Sequence, residues 1–171
     1  AYPDHNPALL AEMYSDNSDE FKVTSWTSAG RFQDQAYAWA DITEISESET
    51  PQEIWNSLYK AMGTANTALK AIRDNGNTDD YQPSKGEALL CRAYAAFQLA
   101  NTFCMAYDAT TAEKYMGVPY PTEPATKVGT TYKRGTLAAF YDQINRDIEE
   151  GLPLITDNYS RPKYHFTRNS A

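Results

Sequence analysis

The chain has 171 residues, a net charge of −8 and 42% hydrophobic residues, enough to bury a core within one domain. The acidic balance argues against a nucleic-acid backbone as partner. No apolar run approaches the roughly 20 residues that cross a bilayer as a helix.

Asn6-Pro7 reads as a helix cap followed by proline at the first helical position. Leu9, Leu10, Met13 and Tyr14 then give one short apolar face, and Ser15-Asp16-Asn17-Ser18-Asp19 ends it. From Phe21 to Ala40 the pattern is irregular but aromatic, with Phe21, Trp26, Phe32, Tyr37 and Trp39. It reads as loop with a short helix or strand. Tyr37 and Trp39 are two apart and would share a face on extended backbone. Six acids and no lysine or arginine lie between Asp34 and Glu53. Their spacing is not that of a calcium loop, so a solvated acidic loop is expected there.

The rest of the chain is organised around residues 51–107, which read as two long helices folded back on each other. Ile54, Trp55, Leu58, Tyr59, Met62, Ala65, Leu69 and Ile72 draw an apolar stripe at three- and four-residue steps. Thr50 suits the cap, Pro51 the first helical position, and Glu53 the third position of a capping box. Asp74-Asn75-Gly76-Asn77 is turn chemistry. The second helix is expected from about Pro83 to Phe103, with Ser84 as cap. Between Ala88 and Phe103 few residues are polar, so this helix is expected to be buried on more than one side. Arg92 lies within it and must find a partner, such as an acid of a later helix. Trp55, on the stripe, is expected in the core.

A loop at 108–134 follows, with Pro119, Pro121 and Pro124 forcing extended backbone. A third helix is expected at about 136–151. Leu137, Phe140, Tyr141, Ile144, Ile148 and Leu152 form its apolar stripe, and Asp142, Arg146, Asp147, Glu149 and Glu150 its wet side. The tail looks like a lead-in to a further helix capped by Thr167, whose absence would leave an apolar face uncovered. Cys91 and Cys104 are thirteen residues apart in one predicted helix, about 20 Å, too far for a disulfide.

Catalytic patterns are lacking. His5 and His165, one near each end, support neither a triad nor a histidine metal site, and no phosphate loop or Gly-x-Ser-x-Gly occurs. The expectation is an all-α, tetratricopeptide-like arrangement of helical hairpins with long irregular loops, not an enzyme, with no cofactor and no metal.

Four segments resemble the SusD/RagB family in its own order. Trp55-Asn-Ser-Leu-Tyr59 with Ala65-Asn66-Thr-Ala-Leu69 is similar to its W-x-x-x-Y…A-N-x-x-L signature. Glu87-Ala88 with Arg92-Ala93-Tyr94, Phe97 and Leu99 is similar to its E-A-x-x-x-R-A-Y-x-x-F-x-L. Gly117-Val-Pro119-Tyr-Pro121 looks like its loop after the hairpin, and Arg134-Gly-Thr136 with Tyr141, Ile144 and Asp147-Ile-Glu149 like its next helix. The resemblance implies a lipoprotein on the outer face of the outer membrane that binds an oligosaccharide or polysaccharide, less often a peptide. It also implies a partner, a TonB-dependent SusC-like transporter, and a membrane link only through an N-terminal lipid absent from this chain. Residues 1–171 would then be the N-terminal tetratricopeptide-like region, truncated before its next helix.

Sugars offer C–H faces ringed by hydroxyls, so aromatic rings and polar edges are the expected contacts. Trp39 stands where the starch-binding member of the family places stacking tryptophans, and Tyr37 and Trp26 are the other candidates. The competing reading packs Trp39 under the hairpin. A generic helical-repeat adaptor for protein partners is the alternative function.

Overall fold

The structure, a computed structural model, describes residues 4–5, 7–17, 31–45, 47–127, 129–168 and 170. It is all-helical, and among the described residues no strand occurs, only an isolated bridge between Met116 and Thr136. Among the described residues five α-helices follow in order: α1 (Ala8–Met13), α2 (Arg31–Tyr37), α3 (Pro51–Asp74), α4 (Gln82–Phe103) and α5 (Leu137–Gly151). None is long and apolar enough to cross a membrane. The chain divides into two compact units, Pro3–Leu58 and Tyr59–Ala171, with the boundary inside α3.

In the first unit α1 and α2 pack together. Leu10, Phe32, Ala36, Ile54 and Leu58 are its buried apolar residues. Asn6 and Phe21 to Ser28 lie outside the described residues, so the cap expected at Asn6 does too; α1 starts at Ala8 with Pro7 before it. Thr50 is wholly buried and its hydroxyl accepts the Glu53 N–H at 3.4 Å. Only this half of the capping box forms, because the Thr50 N–H donates to the Glu47 carbonyl instead. Ser57 is buried and its hydroxyl accepts the His5 N–H at 3.0 Å.

In the second unit α3 and α4 run antiparallel. Leu69 clusters with Ala88 and Leu89, and Asn66, one turn earlier, meets Arg92, one turn later. The α3 stop follows its turn chemistry. The Gly76 N–H donates to the Arg73 carbonyl and the Asn77 N–H to the Ile72 carbonyl, the Schellman pattern, with Gly76 at φ +83°. A short 3-10 turn, Asp79–Tyr81, leads into α4. Ser84 is therefore inside the helix and exposed, not its cap. α4 buries ten residues between Ala88 and Ala100, including Arg92. Tyr94 and Phe97 leave one face open, at 38% and 44% exposure, so the helix is covered on two sides and not all round.

α5 packs antiparallel on α4. Thr136 caps it through its hydroxyl, which accepts the Ala139 N–H at 3.1 Å. The helices approach closely where Gly86 faces Gly151. A Cβ on Gly86 would sit 2.7 Å from the Gly151 carbonyl oxygen, and one on Gly151 3.0 Å from that of Gly86. Glycine at both positions is what admits this contact. Leu137, Phe140 and Ile144 are buried as the stripe requires, but so is Asp147, at 2% exposure, whereas Leu152 is exposed. The wet-side assignment of Asp147 is thus corrected. Three residues after Ile144, Asp147 lies on the stripe itself, and a partner on α4 takes its charge.

Trp55 is half-buried and not in the core. It is one step, about 100°, away from the Ile54–Leu58 line that is buried completely. Cys91 and Cys104 are both free thiols.

Candidate functional site

Among the described residues, the end of α2 and the proline loop each gather polar or aromatic side chains in an unusual arrangement. At the end of α2 the Trp39 N–H donates to the Ala36 carbonyl at 3.0 Å and the Ala40 N–H to the Gln35 carbonyl at 2.9 Å. This is the same Schellman pattern that closes α3, with a tryptophan where glycine usually stands. Trp39 accordingly sits at φ +53°, a left-handed conformation that costs a non-glycine residue about 1–2 kcal/mol. Its side chain is not hidden in return: Trp39 is 73% exposed. The Tyr14 ring braces it, edge to face, with centroids 5.4 Å apart. Beyond the turn, Gln35 holds the following segment to α2. Its amide donates to the Thr43 hydroxyl and its carbonyl accepts the Thr43 N–H, at 3.0 and 3.1 Å.

Tyr37, the last residue of α2, is 45% exposed. The two rings do not share a face as residues two apart on an extended strand would, because Tyr37 is helical and Trp39 left-handed. Nor does Trp39 lie packed under the hairpin, given its exposure. Trp26 lies outside the described residues. Of the acidic run, Asp34 and Asp41 are exposed, and among the described residues no group of three or more histidine, cysteine or acidic side chains could hold a metal.

The second place is the proline loop, which crosses the second unit as a strap. The Arg92 guanidinium grips Asp147 with two bonds, Nε to Oδ2 at 2.6 Å and Nη2 to Oδ1 at 2.7 Å. Its Nη1 donates to Asn66 Oδ1 at 2.8 Å, and the Asn66 amide then donates to the Pro121 carbonyl at 2.8 Å. The Tyr120 hydroxyl donates to Asp147 Oδ2 at 2.6 Å, and the Gln143 amide to Oδ1 at 3.2 Å. Tyr59 holds the Pro119 carbonyl at 2.8 Å and Arg134 that of Gly117 at 2.7 Å.

Extended proline-rich backbone cannot satisfy its own carbonyls, so side chains from α3 and from the segment before α5 do it. Burial alone would make the Arg92 guanidinium easier to deprotonate, but the bonds and charge of Asp147 outweigh this and hold it charged. Burial first, then the Asp147 charge, pushes the Tyr120 phenol well above its ordinary value, so it donates as a neutral hydroxyl. Burial likewise raises Tyr59.

Asn66, Arg92 and Asp147 each come from a different segment quoted above, and here they meet. The demand of Arg92 for an acid was legible in the sequence. Asn66 and Tyr120 were not singled out, although a polar residue within an apolar stripe is a usable signal. All these groups are satisfied by one another, which makes the strap a structural device with no spare reactive group.

A family model described as "Starch-binding associating with outer membrane", SusD-like, matches residues 4–171. Among solved structures, the chain is similar to a SusD superfamily protein from Bacteroides thetaiotaomicron VPI-5482. The two share 22% identity at a TM-score of 0.68, over 84% of this chain and 31% of that one. At that identity the likeness is one of fold. This chain spans about a third of the length of that protein. No curated protein matches it.

Proposed function

This chain belongs to the SusD-like family, and from that premise we propose that the intact protein captures an oligosaccharide at the outer membrane and leaves it chemically unchanged. In this reading residues 1–171 are its N-terminal tetratricopeptide-like region. A lipid anchor holds the protein on the extracellular face, and a TonB-dependent SusC-like transporter receives the ligand. Trp39, with Tyr37 and Trp26 as neighbours in sequence, supplies stacking contacts.

The observation that carries this is Trp39 itself. A large ring held in a strained backbone conformation and turned to water, with one edge contact to Tyr14, gains little for folding, and stored strain of this kind clusters at binding sites. Its flat indole face suits the C–H face of a pyranose, and a single stack contributes about 1 kcal/mol beyond its buried area, by analogy with aromatic pairs. Micromolar affinity or weaker follows for a few such contacts, near −8 kcal/mol at most.

The test is Trp39→Ala in the full-length protein, followed by calorimetry and glycan affinity gels. The expected result is a severalfold loss of affinity with little change in melting temperature. Unchanged affinity would remove Trp39 from the site. The adaptor reading has one observation in its favour, the exposed apolar residues Tyr94, Phe97, Met105 and Tyr107. Retardation in glycan gels separates the two.

A further inference from the structure

We propose that the cleft at the turn end of the α3–α4 hairpin holds one or two pyranose residues of a neutral glycan. The proposal rests on the glycan-capture reading and adds to it a contact within residues 59–171, separate in kind from the Trp39 ring.

The cleft encloses about 510 Å³, within the roughly 300–1,000 Å³ usual for ligand sites. Leu69, Ile72 and Leu89, all under 8% exposed, are its apolar lining. Its outer parts carry Arg73, Lys85, Glu123 and Glu150, with Asn77 of the turn. No aromatic ring lines it, so a ligand there would be held by hydrogen bonds over an aliphatic surface and not by stacking.

The charges decide the ligand class. Arg73 Nη2 meets both oxygens of Glu123, at 2.8 and 2.6 Å, and Lys85 Nζ meets Glu150 at 2.7 Å. Arg92, which also borders the cleft, is taken by Asp147. Every cation of the lining thus has its own carboxylate, and with Asp147 counted behind Arg92 the three pairs are neutral as a whole. An anionic or cationic ligand would have to break a pair to be recognised. A hydroxyl needs no such exchange: it donates to the spare lone pairs of a carboxylate and accepts from the spare N–H of a lysine or arginine. A pyranose offers hydroxyls around its edge and C–H groups on its face, matching the polar rim and the aliphatic lining.

The walls are also fixed in advance, which lowers the cost of binding. The Gly76 turn is closed by its two backbone bonds. The strap residues Thr122 and Glu123 are tied from inside, where the Asn66 amide reaches the Pro121 carbonyl.

The experiment is a titration of the ¹⁵N-labelled chain with neutral trisaccharides of glucose, mannose, xylose and N-acetylglucosamine. The signals read are the Gly76 amide, the Asn77 side-chain amide, the Arg73 Nε–H and the Trp39 indole N–H. The expected result is saturable shifts at Gly76, Asn77 and Arg73 with at least one trisaccharide, and their persistence in Trp39→Ala.

A second variant, Glu123→Gln with Glu150→Gln, leaves Arg73 and Lys85 unpaired on an otherwise similar surface. It should bind the neutral sugar at least fivefold more weakly at these signals and gain affinity for trigalacturonic acid. A merely structural role for the two pairs would produce no such exchange of preference. Shifts confined to Trp39 would overturn the cleft and leave the capture reading standing. Shifts nowhere, with any of the four sugars, would reject both.

Discussion

Two helices of this chain end in the same pattern of backbone bonds with different residues at the critical position. α3 closes on Gly76 at φ +83°, where the absence of a Cβ makes the left-handed turn free of steric cost. α2 closes on Trp39 at φ +53°, the same region of backbone space, with the largest side chain available. The α3 end belongs to a unit whose loop is pinned by buried bonds, and its residue is chosen for the fold. The α2 end carries a ring that is 73% exposed, a residue the turn would not select. A helix cap is therefore informative in both directions. Where residue and geometry agree it reports folding, and where they conflict it points to a demand from outside the fold.

The largest expected effect breaks the side of the comparison built for stability. Asp147→Ala leaves Arg92 buried without its acid and takes one bond from Tyr120. A loss of about 3–5 kcal/mol is expected, as for a buried pair deprived of one member. Urea unfolding followed by circular dichroism checks it, and a loss below about 1 kcal/mol would mean that the pair is not what holds the strap.

A pH series tests the same unit without mutation. Cys91, Cys104, Tyr59 and Tyr120 are all raised, each chiefly by burial. Their neutral forms are favoured in the folded state, so their contribution is complete below the ordinary values of 9.0 for the thiols and 10.0 for the phenols. Above those values the unfolded chain ionises first, and stability falls as pH rises toward the folded values. The urea midpoint should hold between pH 7 and about 8.5, then drop, with a shallower drop in Tyr120→Phe.

The two caps can then be compared directly. Gly76→Ala puts a Cβ into the left-handed turn with open space around it, so the cost is conformational alone, about 1 kcal/mol. At the other cap the same preference for glycine is expected. Trp39→Gly should be more stable than Trp39→Ala by about 0.5–1 kcal/mol, because both lose the ring contact with Tyr14 but only alanine keeps the strain. Both should weaken glycan binding alike. Equal stability of the two variants would show that the φ of Trp39 carries no strain and would remove the main argument for its role.

The long helices were legible in the sequence because their signals are local. Stripe spacing, the Thr50 cap, the Asp74-Asn75-Gly76-Asn77 stop and the helix-excluding prolines all act within a few residues of themselves. The four segments, quoted in order, were likewise enough to point to the family that the comparison then showed. Trp39 was legible as a candidate but not as an exposed one. Its left-handed turn depends on where α2 stops, and the short α2 has too few periodic positions to declare itself.

Tertiary structure alone decided which polar residues are inside. Asp147 has the same carboxylate as Glu149 and Glu150 two and three residues away, and its place on the stripe, where a charge is unexpected, does not by itself show that the charge is buried. It becomes so because α5 lies on α4 at the height of Arg92, where a charge can be removed from water only if an opposite one meets it. The same holds for Gly86 and Gly151, which lie 65 positions apart on different helices. Only the crossing of two helices makes each the reason for the other.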